Sequence, residues 1–242
     1  MVDFSGTSKD HAASLISGNT HLIVAPALLA APFLAIGDAA RACSRAGADV
    51  LHIDIMDGRF APSVTFGVSL INALKQQRDI SIPLDVHLLI DDVDRYFEAY
   101  LAAGADILTI HFEASRNPYR TLERIRAARC QAGLAVLPAT PVSAIQELLP
   151  LVDLLLIMTV HPGESRFIRS VVPKIELLRV LANQGERAFR IGVDGGVRPD
   201  TLPSMVAAGA DWIVAGSAIF NDKEDISANI CDLRDLATGT IQ

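Results

Sequence analysis

Eight short apolar runs, each followed by a longer amphipathic stretch, constrain this chain more than any other feature. They span 21–26, 50–55, 82–88, 107–111, 134–138, 154–159, 189–193 and 212–215. Each has strand length, and apolar character on both faces fits parallel strands buried between layers. The intervening stretches are long enough for helices, so the pattern reads as a βα unit repeated eight times. Eight such units close on themselves, and the expected fold class is α/β, a (β/α)8 TIM barrel.

The 242 residues, half of them hydrophobic, suffice for one large core, and no linker or low-complexity tract divides them. The reading is therefore a single domain: a polar N-terminal extension over 1–20, with room for one short helix, and a barrel over 21–242. Ala-Gly-Ala-Asp occurs at 46–49, 103–106 and 208–211, each time directly before a predicted strand. The Gly suits a helix C-cap and the Asp a short turn, marking the end of the barrel devoted to stability.

Several function classes are excluded. The net charge of −7, with no basic cluster, argues against nucleic acid as a partner. Cys43, Cys130 and Cys231 are far apart and odd in number, which fits a reducing cytoplasm and no disulfide framework. No apolar run approaches the roughly 20 residues needed to cross a bilayer, and 1–20 lacks a signal-peptide pattern, so no membrane association is expected.

In such a barrel the chemistry sits at the C-terminal strand ends. The second run ends in His52-Ile53-Asp54-Ile55-Met56-Asp57-Gly58, and its period of two puts His52, Asp54 and Met56 on one face. The third ends in Asp85-Val86-His87-Leu88, the seventh in Val193-Asp194-Gly195-Gly196. Singly, each His reads as readily as a hydrogen-bonded core residue. Jointly, two imidazoles and two carboxylates need mutual pairing or a cation, and they suit zinc, iron or manganese. Asp194-Gly195-Gly196 and Ala215-Gly216-Ser217-Ala218 free backbone N–H groups in adjacent loops to cradle a phosphate.

With these motifs, the chain from about 21 to 220 resembles the ribulose-phosphate 3-epimerase family. The resemblance is carried by His52-Ile-Asp-Ile-Met-Asp-Gly-Arg-Phe60, Asp85-Val-His-Leu88, Pro138-Ala-Thr-Pro141, Met158-Thr-Val160, Val193-Asp-Gly-Gly196 and Ala215-Gly-Ser-Ala-Ile-Phe220, in order. It implies that His52, Asp54, His87 and Asp194 ligate one divalent metal, Zn, Fe(II), Mn or Co, and that Asp54 and Asp194 are the acid/base pair. His87 and Gly163, Gly195, Gly196, Gly216 and Ser217 would contact substrate or its phosphate. Met56, Met158, Leu89 and Ala27 would form the pocket wall. A small sugar phosphate is the implied partner, and a homo-oligomer the implied assembly.

Some positions depart from the family pattern. Ala27 stands where a Ser is usual and Leu89 where a Met is usual, while Ser63 and His161 each replace an Asn. The loop Gly163-Glu-Ser-Arg-Phe167 is two residues shorter than its counterpart and lacks its Gly-Gly. Arg166 is a candidate to compensate by offering the phosphate a guanidinium fork. These departures leave open another ketose phosphate, such as allulose 6-phosphate, beside D-ribulose 5-phosphate. A sugar-phosphate binder without turnover is the reading from a different class.

Overall fold

The computed structural model describes residues 8–17, 21–185, 189–221 and 225–239. Residues 1–7 and 18–20 of the expected N-terminal extension, and 240–242 of the span expected to form the barrel, lie outside the described residues. All eight expected strands form: β1 Ile23–Pro26, β2 Leu51–Met56, β3 Leu84–Leu89, β4 Ile107–His111, β5 Gln131–Val136, β6 Leu154–Met158, β7 Arg190–Asp194 and β8 Trp212–Ala215. They make one parallel sheet in the order β1-β8-β7-β6-β5-β4-β3-β2. A parallel bridge from Ala27 to His52 joins β1 to β2 and closes the ring.

Helix α1 (Ser8–Ser17) precedes β1. Helices α2 (Ile36–Arg45), α3 (Val68–Lys75), α4 (Val93–Ala103), α5 (Pro118–Ala127), α6 (Val172–Gln184), α7 (Leu202–Ala207) and α8 (Ile226–Thr238) follow β1, β2, β3, β4, β6, β7 and β8. The expectation of a helix after every strand fails at β5, where 3-10 turns at Val142–Ala144 and Gln146–Leu151 take its place. Pro150 accounts for this within the second turn, since it lies inside Gln146–Leu151 and lacks the N–H an α-helix interior needs.

The period of two in the strands sorts side chains between two environments. Leu51, Ile53 and Ile55 of β2 join the layer between strands and helices. His52 and Asp54, from the same strand, point into the barrel and are buried. The barrel's interior is stratified. Ala12, Leu15 and Ile16 of α1 pack with Ile23, Val50, Ile107, Leu154 and Trp212 as an apolar floor. Burial of Leu15 and Ile16 stabilises this closure by about 1.5–3 kcal/mol each, and the Arg190 guanidinium fixes α1 through a 2.8 Å bond to the Leu15 carbonyl.

The Ala-Gly-Ala-Asp repeat proves to be a device for pairing strands. Gly47, Gly104 and Gly209 all have positive φ and end the preceding helices. The aspartates then reach back one strand: Asp49 accepts from the Val24 N–H, Asp106 from Leu84 and Asp211 from Ile191, each at 2.8 Å. Asp153 does the same to Ala132 at 2.8 Å without the rest of the motif. So the carboxylate before each even-numbered strand satisfies the start of the odd-numbered strand before it. Asp106 also accepts from Ser8 Oγ at 2.8 Å and pairs with Lys75. Asp106→Ala is expected to cost about 3 kcal/mol, because it orphans a buried N–H and removes the carboxylate paired with the partly buried Lys75 ammonium. A fall in Tm of only a degree or two would contradict this.

Candidate active site

Strand register brings the polar side chains together. Paralleling β2 and β3 sets His52 beside Asp85, Asp54 beside His87 and Met56 beside Leu89, while Met158 of β6 lies beside Asp194 of β7. One donor atom from each of His52, Asp54, His87 and Asp194 lies within 4.8 Å of all the others. Asp54 Oδ1 is 3.1 Å from both His52 Nε2 and His87 Nδ1, and Asp194 Oδ2 is 3.5 Å from His87 Nδ1.

Behind His52, Asp85 Oδ2 meets Nδ1 at 2.8 Å, and its other oxygen accepts from Thr109 Oγ1 at 3.1 Å. With Nδ1 so engaged, Nε2 is the nitrogen His52 offers to the cluster. Burial disfavours charge on both imidazoles, yet Asp54 and Asp85 raise the His52 pKa well above its usual value. Hydrogen bonds to Asp194 and Asp54 likewise overcome burial at His87 and raise it. Burial would raise Asp54, but His52 and His87 hold it well below the carboxylate range. The donor set therefore fits a divalent cation: two imidazole nitrogens and two carboxylate oxygens converge on one point, where a cation would balance the carboxylate charge.

Above the cluster opens a cleft of about 690 Å³, lined by Asp54, Asp194, Met56, Leu89, Met158 and the loop after β6. Met56, Leu89 and Met158 form one buried apolar group with Ala61 and Val160, so they are both core and cleft wall. Gly163 and Arg166 lie in the loop, and Arg166 is exposed with no ion-pair partner among the described residues. An adjoining recess of about 230 Å³ gathers Gly195, Gly196, Gly216 and Ser217 with Ala27 and Arg198. A larger groove of about 940 Å³ lies between α7 and α8 and contains none of the four clustered groups.

Sequence reasoning assigned no role to Arg198, although a cation two residues beyond Gly195-Gly196 was a readable signal. In the structure its Nε bonds Asp200 at 3.2 Å and its Nη1 lies 3.5 Å from the Ser165 carbonyl, joining the loops after β6 and β7. His111 and Glu113, at the end of β4, were also passed over. His111 Nε2 lies 3.0 Å from His87 Nε2, and its Nδ1 lies 3.3 Å from Glu113.

A closed parallel barrel with a buried carboxylate–imidazole cluster under an open cleft defines an α/β-barrel enzyme with a site fit for a divalent cation. Residues 23–220 match the ribulose-phosphate 3 epimerase family. A ribulose-phosphate 3-epimerase of Bacillus subtilis is 43% identical over 204 residues, covering 83% of this chain and 93% of that protein. One from Mycobacterium tuberculosis is 41% identical over 214 residues, covering 88% of this chain and 91% of its own. Among solved structures, 3-hexulose-6-phosphate synthase superposes with a TM-score of 0.62 at 19% identity, covering 89% of this chain and 99% of that one, a likeness of fold alone. The chain belongs to the ribulose-phosphate 3-epimerase family, isomerases acting on carbohydrate phosphates. No helix among the described residues is long and apolar enough to cross a membrane.

Proposed function

We propose that this protein interconverts D-ribulose 5-phosphate and D-xylulose 5-phosphate by moving a proton at C3. The observation carrying this reading is the convergence of Asp54 and Asp194, from β2 and β7, on one point beneath the cleft. Epimerisation requires removal of a weakly acidic C–H proton from one face and its return to the other, so two bases must flank the carbon. Asp54 serves one face and Asp194 the other. His52, Asp54, His87 and Asp194 would hold the divalent metal, which when bound supplies Lewis-acid polarisation of the adjacent C2 carbonyl.

The phosphate is assigned to the recess at Gly195, Gly196, Gly216 and Ser217, whose backbone can approach an anion closely. Arg198 lines that recess and Arg166 the neighbouring cleft, supplying positive charge in a molecule otherwise acidic. Met56, Met158 and Leu89 exclude water from the reacting carbon. A cytoplasmic homo-oligomer is the assembly and location we assign, in keeping with the family.

Ala27 favours a second reading, another ketose phosphate such as allulose 6-phosphate, because the recess carries a methyl where a hydroxyl is usual in the family. Exchange of the C3 proton with D2O, followed by NMR across a panel of ketose phosphates, separates the two. Deuterium is expected to enter ribulose 5-phosphate, to stop on chelation with a loss above about 100-fold, and to resume on adding a divalent cation. Exchange with hexulose phosphates alone would move the substrate assignment. Exchange indifferent to chelation would remove the metal, and no exchange with any member would leave a binder.

A further inference from the structure

Two imidazole nitrogens face each other inside the barrel, His87 Nε2 and His111 Nε2, 3.0 Å apart. At that distance one of them carries a hydrogen and the other presents a lone pair. The outcome matters because His87 turns its other nitrogen, Nδ1, towards Asp54 and Asp194. A neutral His87 with its hydrogen on Nε2 leaves Nδ1 free to bind a cation. With the hydrogen on Nδ1 instead, the lone pair is gone.

The far side of His111 decides between these states. His111 Nδ1 faces Glu113 Oε2 at 3.3 Å, and an ionised carboxylate only accepts. The His111 hydrogen therefore sits on Nδ1, its Nε2 accepts, and His87 must donate. Glu113 is itself kept in the accepting state: the Leu137 N–H donates to Oε1 at 2.9 Å, and the Thr140 hydroxyl donates to the same oxygen. Burial works against ionised Glu113, but His111 and these two donors hold its carboxyl below the ordinary range. Lys174 of α6 anchors the segment by donating to the Leu137 and Pro138 carbonyls at 3.1 and 2.9 Å. The Phe60 ring lies 4.6 Å from that of His111, between centroids. Residues 138–141, conspicuous in the sequence but without a place in the chemistry, thus acquire one.

We propose that His111 and Glu113 are positioning residues that fix His87 with Nδ1 as its cation-facing nitrogen, and that Thr140 sets the polarity of this line. The arrangement does for His87 what Asp85 does for His52, with one imidazole inserted. The proposal rests on the metal reading above.

Glu113→Gln gives the sharpest test, since it preserves shape and reverses the hydrogen-bond direction. Its carbonyl oxygen must receive Leu137 and Thr140, so its amide donates to His111 Nδ1. The hydrogen of His111 then moves to Nε2, and that of His87 to Nδ1. Full-length protein loaded with Co(II) would be challenged with a chelator, the bound ion read by its visible absorption. Glu113→Gln and His111→Leu are expected to weaken Co(II) retention about 10–100-fold. His111→Gln, whose amide oxygen can still accept from His87, is expected to recover most of it. In spectra of 15N-histidine-labelled protein, His111 of the wild type should carry its hydrogen on Nδ1, whichever variants fold.

Co(II) retention by Glu113→Gln within about twofold of wild type, or wild-type His111 protonated on Nε2 instead, would overturn the proposal and leave the metal reading standing. A wild type that binds no Co(II) would end both.

Discussion

Asp54→Asn and Asp194→Asn are each expected to lower kcat by at least about 10³-fold with saturating divalent cation. Asn has nearly the volume of Asp and keeps an oxygen, so packing around β2 and β7 survives. It cannot take a proton. The two variants should differ in a way that losing a mere structural contact would not reproduce. A carboxylate on one face can still remove the C3 proton of the epimer presented to it, so each variant should retain slow deuterium exchange with one epimer and lose it with the other. The double variant should be little worse in epimerisation than either single, because the two bases act as one unit. Since both carboxylates also face the cation site, bound metal must be measured beside the rate. A loss of kcat under about tenfold in either metal-loaded variant would rule that residue out as a base.

The four clustered groups were legible because a strand's period of two is rigid: His52 and Asp54 share a face whatever surrounds them, and His87 takes the same place on the next strand. The barrel was legible for a similar reason, since runs buried on both faces have few alternatives. The break in the helix after β5 could have been anticipated from Pro150, whose effect is local. The aspartates before the strands were seen as turn residues. That they bond the neighbouring strand depends on ring closure, which local sequence does not state. His111 was harder still, because its significance lies in which atom of His87 it touches. That is settled by the stagger of β3 against β4, and no spacing within either strand records it.

Gly195→Ala is expected to lower kcat/KM about 10³-fold while leaving most of the fold intact. Gly195 has a φ of +101°, a backbone conformation that a side chain disfavours by about 1–3 kcal/mol. A Cβ there would also lie 2.3 Å from Val160 Cγ2 and 2.9 Å from its Cγ1. The backbone cannot simply retreat. Thr159 donates its N–H to the Asp194 carbonyl at 2.8 Å and its hydroxyl to the Asp194 and Gly195 carbonyls, stapling the loop to the end of β6. Either Val160 yields and disturbs the wall of Met56, Leu89 and Met158, or the peptide tears from Thr159 and carries Asp194 with it. A displacement of about 1 Å at a reacting group costs about 100-fold, and the N–H groups assigned to the phosphate would move as well. Gly216→Ala is the control from the same recess. Its φ is ordinary and its nearest contact would be the Ala30 Cβ at 3.1 Å, so a loss under about tenfold is expected. Equal losses in the two variants would mean that crowding of the phosphate recess, and not the posture of Asp194, limits the reaction.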